Sequence, residues 1–411
     1  MALSTRARCS IGRLCREFYG DPSDDMSVVG VTGTNGKTTV AWMVRNALNQ
    51  LDCPSAYLGT LGFQTTGVRE VMDNTTPFPV KLWSLLSKAK SDGCSAVVME
   101  ASSHALFQRR LAGVSFEVGT FTNFTQDHLD FHGSMDAYRQ AKLLLFTEYA
   151  AASKKEFAAC LNLADPVGQA WSHELPCPTF TFGTSDAMVV ADASDIQVDG
   201  LTLSLPGGQS ARLRFGGDYN VENARAALAT LVAMGFDADE ALSALASVDP
   251  VPGRFEPIAN TLGIGVLVDY AHTPDALTNL LKSVRKLRHG RVITVFGCGG
   301  DRDRTKRPKM ATAASSLSDL IIVTSDNPRT EDPNSIIDEI VPGIGDGTQW
   351  ERVTDRKEAI HHAIQAADPG DVVIIAGKGH EDYQIIGREK IFMSDQQMAQ
   401  DALHEKSMVP R

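Results

Sequence analysis

Val28-Val29-Gly30-Val31-Thr32-Gly33-Thr34-Asn35-Gly36-Lys37-Thr38-Thr39 is the stretch that decides how the rest of the chain is read. A short apolar run enters a segment of glycine, lysine and threonine, and an amphipathic stretch from Val40 to Leu48 follows. That order predicts a buried strand, a tight loop and a helix. Such a loop turns its backbone N–H groups toward one point at the positive end of the helix, where an anion is stabilised. In this reading Gly33, Thr34, Asn35 and Gly36 cradle phosphates. Lys37 neutralises the β and γ phosphates of a nucleotide, and the Thr38 hydroxyl holds Mg²⁺. The general phosphate-loop pattern has a glycine five residues before Gly36. Val31 stands there, so the match is to a shorter form, Gly-Thr-Asn-Gly-Lys-Thr. An ordinary glycine-rich βα turn would leave Gly-Lys-Thr directly after a strand without a packing reason.

The chain has 411 residues, enough for two or three domains with sizeable cores. Hydrophobic residues make up 43% and charged residues 22%, as in globular proteins generally. The net charge is −11, and no long Lys/Arg run marks a nucleic-acid binder. Seven scattered cysteines without a C-x-x-C pair point to free thiols in a reducing cytoplasm. No apolar run approaches the ~18 residues needed to span a bilayer, so no membrane partner is expected. The first 16 residues hold four arginines, two serines and no acid, as a transit peptide can, but Ile11 to Tyr19 reads better as a short helix.

Strands and helices alternate from Val28 onward. Ser95–Glu100 and Gly119–Phe124 read as strands, and Met135–Tyr149 as a helix. This is α/β material with a largely parallel sheet. From about Gly183 to Arg214 short alternating runs predict an antiparallel patch, and a helix from about Asn220 to Met234 follows. Asp249-Pro250-Val251-Pro252-Gly253 reads as a linker. A second, Rossmann-like α/β region has strands at 265–269, 292–296, 320–324 and 371–376. Each ends where a polar or glycine motif begins, and ligands bind outside such strand ends. The expected domains are a remnant or linker over 1–23, a central nucleotide-binding domain over 24–250, and a C-terminal domain over 251–411.

Glu100 closes a strand beside the phosphate loop, a place where an acid can hold Mg²⁺; a helix N-cap is the plainer role. Asp127-His128-Leu129-Asp130 follows another strand end. Lys142 lies in an otherwise apolar helical stretch, where a lysine is more often a surface residue with its stem on the core.

Together these stretches resemble the Mur ligase family, ATP-dependent amide-forming enzymes of peptidoglycan synthesis, and within it the MurE branch. The resemblance runs from about Leu14 to the C-terminus. It rests on residues 33–38, Asn74-Thr75-Thr76, Met99 to His104, Asp127 to Asp130, Asn220-Val221-Glu222-Asn223, Gly253-Arg254, Asp269 to Pro274, Gly297 to Asp303, Asp326-Asn327-Pro328-Arg329 and Gly377 to Glu381. Many motifs in one order make it specific.

The resemblance implies roles. Lys37, Thr38 and Glu100 would bind phosphates and one Mg²⁺, and His128 a second. Lys142 matches a carbamylated lysine that ligates metal near the γ-phosphate. Asn223 would meet the adenine, and Arg254, Asp269 and His272 would reach ATP from the C-terminal domain. Thr75, Thr76, Ser102 and Arg110 match positions that hold L-Ala-γ-D-Glu. Arg302, Asp326, Asn327, Arg329, Gly377 and Glu381 match the pocket for meso-diaminopimelate. Its distal carboxylate gives Arg329 a bidentate partner; a surface ion pair is the plainer reading.

Members of this branch begin with a domain that holds UDP, whereas here the loop starts at Gly33. The expectation is therefore an ATP-dependent acid–amino-acid ligase acting on a smaller acceptor without UDP. One alternative is a peptidoglycan MurE with a shortened N-terminus, or one completed by a partner chain. Another is a catalytically silent binding subunit, against which Lys37, Glu100, His128 and Lys142 argue. A folylpolyglutamate synthase-like role would not explain Asp326 to Arg329.

Overall fold

The computed structural model describes residues 5–287 and 290–408, so the first four and last three residues of the expected domains lie outside it. The chain forms two compact units. One runs to Ser194 and adds Thr202–Leu213 and Asn220–Asp249; the other comprises Asp195–Leu201, Arg214–Tyr219 and Pro250 onward.

The first unit is built on strands β1 (Ser27–Thr32), β2 (Ser55–Gly59), β3 (Gly62–Gln64), β4 (Arg69–Glu70), β5 (Ala96–Glu100), β6 (Val118–Phe121), β7 (Ala158–Asn162) and β8 (Thr179–Phe182). Their order is β4-β3-β2-β5-β1-β6-β7-β8. The strands from β2 to β8 in that order run parallel, and β3 and β4 add an antiparallel edge. β1 is central and almost wholly buried, which is why it reads as a continuous apolar run. Val31 is in register with Glu100 on β5, and Thr32 with Phe121 on β6. Neighbouring strands are ~4.8 Å apart, so this register sets Glu100 beside the loop that leaves β1. Trp83, Phe116, Phe121, Phe146 and Trp171 fill the core.

Two expected elements differ. The strand at 119–124 stops at Phe121: beyond it the backbone of Thr122 and Asn123 still bonds Thr32 O and Thr34 N, but with the segment entering the phosphate loop, to which their side chains also turn. The helix at 135–149 is α-helical over Met135–Leu143 and then makes a π-turn, Leu145–Tyr149. That wider turn accompanies burial of Leu145, Phe146 and Tyr149 together. The patch around 183–214 is a small sheet of β9 (Asp192–Ser194), β10 (Leu201–Ser204) and β11 (Ser210–Leu213), with β9 and β10 antiparallel.

The second unit has β12 (Glu256–Pro257), β13 (Gly265–Asp269), β14 (Val292–Phe296), β15 (Leu320–Val323), β16 (Gln349–Arg352) and β17 (Val372–Ala376), ordered β12-β13-β17-β14-β15-β16. All but the β12 edge are parallel. Leu280, Leu281, Met310 and Ile337 pack on one cluster of strand side chains, Ile360, Ile364 and Leu403 on another. Helices thus cover the sheet on both faces, as buried parallel strands require. A hairpin of β18 (Tyr383–Ile386) and β19 (Glu389–Phe392) follows β17.

Candidate active site

The loop after β1 owes its shape to two glycines. Gly36, at the N-terminus of helix Lys37–Gln50, has φ 85°. A Cβ there would sit 2.2 Å from Asn223 Oδ1. Gly33 has φ 151°, and its Cβ would meet Thr122 Oγ1 at 1.9 Å. Both positions therefore exclude side chains, and the first packs Asn223 against the loop. Asn223 Nδ2 donates to Asn220 Oδ1 at 2.8 Å. Residues after β6 brace the loop from outside: Thr34 N donates to Asn123 O at 2.8 Å, and Thr122 Oγ1 to Asn35 O at 2.6 Å. Lys37 Nζ donates to the carbonyls of Gly33 and Thr34 at 2.9 and 2.8 Å.

Lys142 is not a surface residue. It is 1% exposed, and its Nζ donates to Gly33 O at 2.6 Å and lies 4.2 Å from the centre of the Tyr138 ring. Burial drives its amine well below the ordinary lysine range; the Lys37 charge adds to this and Asp127 opposes it. The apolar residues around it are what bury it, which is why an apolar helix gave the opposite expectation. His128, at φ 51°, packs edge-on against Tyr138. Partial burial lowers its pKa, against the pull of Asp127. His104 and His132 stand beside it, with ring centres of His104 at 4.8 Å from His128 and 5.4 Å from His132.

Glu100 is 1% exposed. Its Oε1 accepts from the Tyr57 hydroxyl at 2.6 Å and Thr60 N at 2.8 Å, and its Oε2 from Thr60 Oγ1 at 3.2 Å. The N-cap role falls to Ser102, whose hydroxyl accepts from Ala105 N. Thr76 Oγ1 donates to Glu100 O at 2.6 Å and lies 3.2 Å from Ser102 Oγ. Thr75 Oγ1 is 3.2 Å from Thr60 Oγ1. Arg110 donates to Thr76 O at 2.8 Å and stacks 4.1 Å over Phe78. Thr75, Thr76, Ser102 and Arg110 thus adjoin Glu100.

In the second unit, Asp269 ends β13 and accepts from Phe255 N and Ala271 N at 2.7 and 2.8 Å. Burial raises its pKa, with Arg254 opposing. Arg254 stacks 4.7 Å over Tyr270, and its Nε is buried without a hydrogen-bond partner. His272 Nδ1 is 2.8 Å from Tyr270 O, the contact of an Nδ1–H tautomer, which leaves Nε2 to accept.

The remaining candidates gather at the ends of β14, β15 and β17. Asn327 Nδ2 donates to Glu381 Oε2 at 3.1 Å. Arg329, at φ 51°, donates through Nη1 to Gly300 O at 2.8 Å. A Cβ on Gly299 would lie 2.9 Å from Arg329 Nη1 and 3.7 Å from Arg302 Cγ, so both arginines border the same glycine. A Cβ on Gly377 would lie 2.8 Å from Asp326 Oδ2.

Several side chains had no individual role in the sequence reading. Tyr57 and Thr60 hold Glu100. Lys378 joins Asn327 and Glu381. Arg307, fully buried, bonds Glu331 and Glu339, and Glu331 accepts from Asp301 N across the loop from Thr330. Tyr57 sat in a run that no motif marked. Lys378 stood inside a quoted motif, and a lysine between two glycines was the available signal.

The same layout is found in known proteins. Residues 31–231 match the Mur ligase middle domain, and 253–379 the Mur ligase, glutamate ligase domain. A UDP-N-acetylmuramoyl-L-alanyl-D-glutamate–2,6-diaminopimelate ligase of Thermosynechococcus vestitus is 46% identical over 97% of this chain and 81% of its own length. The chain belongs to the Mur ligase family. A Geobacter metallireducens protein of the same name is 44% identical, covering 98% of this chain and 83% of that one. A solved structure of a ligase so named is 32% identical with a TM-score of 0.72, over 98% of this chain and 84% of that one. As a Mur ligase, this chain is an ATP-dependent amide ligase with two α/β units of the family's middle and C-terminal types. Among the described residues no helix is long and apolar enough to cross a membrane.

Among the described residues no cluster of three or more His, Cys, Asp or Glu side chains suits a metal. Magnesium beside a nucleotide does not need one, since one or two protein oxygens plus phosphates satisfy it. The Glu100 carboxylate, held by three donors, fits that demand.

Proposed function

We propose that this Mur ligase joins 2,6-diaminopimelate, as the meso isomer, to UDP-N-acetylmuramoyl-L-alanyl-D-glutamate in the cytoplasm, at the expense of ATP. The observation that carries this reading is the grouping around Asn327, which bonds the Glu381 carboxylate through its side chain and lies beside the Arg329 guanidinium through its carbonyl, so that a carboxylate and a guanidinium stand at one strand end for a zwitterionic amino acid. The relatives' names favour the UDP-linked acceptor over the smaller one expected from the sequence, and they span most of their length in common with this chain.

In this reading the acceptor carboxylate attacks the γ-phosphorus, and the bond to the bridging oxygen breaks to release ADP. Lys37 and the N–H groups around Gly36 stabilise the charge that moves. Thr75, Thr76, Ser102 and Arg110 hold the acceptor near Glu100, so the gain is largely one of positioning. The amine of the amino acid then attacks the acyl phosphate, and phosphate leaves. Arg254, Asp269, His272 and Asn223 serve the nucleotide. Thr38, Glu100, His128 and Lys142 would hold Mg²⁺, which when bound screens the phosphates' charge. The lowered pKa of Lys142 supports carbamylation, because only the neutral amine attacks CO₂, losing a proton as the N–C bond forms.

The test is kcat/KM for the UDP-linked dipeptide and for the same acyl dipeptide without UDP, with ATP and meso-diaminopimelate. Preference for the UDP form supports the reading. Equal use of both returns the smaller acceptor.

A further inference from the structure

Lys378 follows β17 between Gly377 and Gly379, whose φ values of 119° and 53° suit glycine. Its side chain has no exposed surface. Nζ donates to Asn327 Oδ1 at 3.0 Å and stands 3.5 Å from Glu381 Oε2. Asn327 Nδ2 donates to that same Oε2 at 3.1 Å, which closes a ring of three side chains. Asn327 Oδ1 also accepts from Ile385 N at 2.9 Å. The amide therefore has one orientation, with oxygen toward two donors and nitrogen toward the carboxylate. Glu381 is turned back onto the ring from the same side, since Glu381 N donates to Lys378 O at 2.9 Å.

Burying an ammonium is costly unless anions and acceptors surround it. Burial pushes the Lys378 amine down, and the Asp326 carboxylate, then Glu381 and Asp395, work against that. A buried methionine would fill the same space without the desolvation cost. What the ammonium adds to the Ile385 N–H at Asn327, and a methionine could not, is one donor and charge shared between the Asn327 amide and the Glu381 carboxylate. Glu381 Oε1 takes no part in the ring.

We propose that Lys378 is a positioning residue for the amino-acid substrate, holding Asn327 and Glu381 so that the Glu381 carboxylate receives an ammonium group of a diamino acid. This rests on the reading that these residues form the amino-acid pocket. Lys378 does not touch the substrate and takes no part in phosphoryl transfer. It acts on the ammonium end, which lysine and diaminopimelate share, whereas Arg329 faces the carboxylate that lysine lacks.

The experiment is steady-state ADP release by the full chain with Lys378→Met. The KM for meso-diaminopimelate should rise about tenfold or more, the effect of losing a hydrogen bond to a charged group. The kcat and the KM for ATP should stay within about threefold, and the ratio of diaminopimelate to lysine use should not change. Added to Glu381→Gln, the same substitution should cost much less than it does alone. Should Lys378→Met fail to fold, Lys378→Gln is measured in its place: it is polar but uncharged and one atom shorter, so it cannot hold both Asn327 Oδ1 and Glu381 Oε2 as the ammonium does, and the KM for meso-diaminopimelate should still rise. An unchanged KM, full additivity with Glu381→Gln, or an equal loss in kcat and ATP binding would overturn the inference. If the wild type turns over no diamino acid with any acceptor, the pocket reading itself fails and the inference falls with it. If it does turn one over and the variant keeps its KM, only the inference fails.

Discussion

Lys142 Nζ donates to the carbonyl oxygen of Gly33 at 2.6 Å, so a lysine from a distant helix is tied to the first glycine of the phosphate loop. The two residues are 109 apart in sequence. Lys142 should therefore matter to catalysis. Lys142→Ala is expected to be nearly inactive and partly rescued by short carboxylates, which can occupy the space of a carbamate. Turnover assays with and without added formate or acetate check this. Full activity of the alanine variant would remove Lys142 from the site.

Lys37 contacts the same Gly33 carbonyl and, in addition, that of Thr34. Removing its charge in Lys37→Ala should cost about 3 kcal/mol of transition-state stabilisation, or at least a hundredfold in kcat, as for other preorganised charge-stabilising groups. A kcat within about tenfold of wild type would contradict a role at the transferring phosphate.

The fold was legible where apolar runs ended at a polar or glycine motif: β1, β5 and, in the second unit, β13, β14, β15 and β17 follow from that pattern, whereas the exposed β16 does not. Edge strands such as β3 and β4 were not, because two or three residues carry no periodicity. The early end of β6 was hidden because the strand formers Thr122 and Phe124 flank Asn123, yet the side chains of Thr122 and Asn123 bond the loop around Asn35. At the candidate site, residue types and spacing marked Lys37 and Glu100, while Asn223 and the Asp326 to Arg329 segment were marked only by the resemblance to the Mur ligases; the structure sets each beside the neighbours described above. Burial is a tertiary property. That is why Lys142 looked like a surface lysine, and why Tyr57, Arg307, Glu331 and Lys378 received no role of their own.

Arg329 is oriented by Gly300 O and stands next to Arg302 across Gly299. Arg329→Ala should weaken meso-diaminopimelate by roughly 2–5 kcal/mol, the cost of stripping a desolvated charge of its partner. The KM for ATP should hardly move. Equal losses for both ligands would point to misfolding, and a wild type that prefers lysine would refute the pocket reading.

The loop that carries Arg329 is anchored through Glu331 and Arg307. That guanidinium and the Asp301 N–H hold the Glu331 carboxyl down at about 2, from an ordinary value of 4.5. A depressed carboxylate stabilises the fold above its unfolded pKa, and the contribution is lost as pH falls through the folded one. Glu331→Gln should therefore lower Tm at pH 7, and the gap from wild type should shrink as pH falls from 4.5 toward about 2. A gap that does not change over that range would contradict the ion pair's role.

The central claim is tested most directly by incubating the chain with ATP, Mg²⁺, meso-diaminopimelate and UDP-N-acetylmuramoyl-L-alanyl-D-glutamate, and measuring product mass alongside ADP. The account predicts one new amide-linked UDP-tripeptide for each ADP formed, with neither appearing when the amino acid is left out. ADP formation without a condensed product, or a product made from lysine in preference to diaminopimelate, would contradict it.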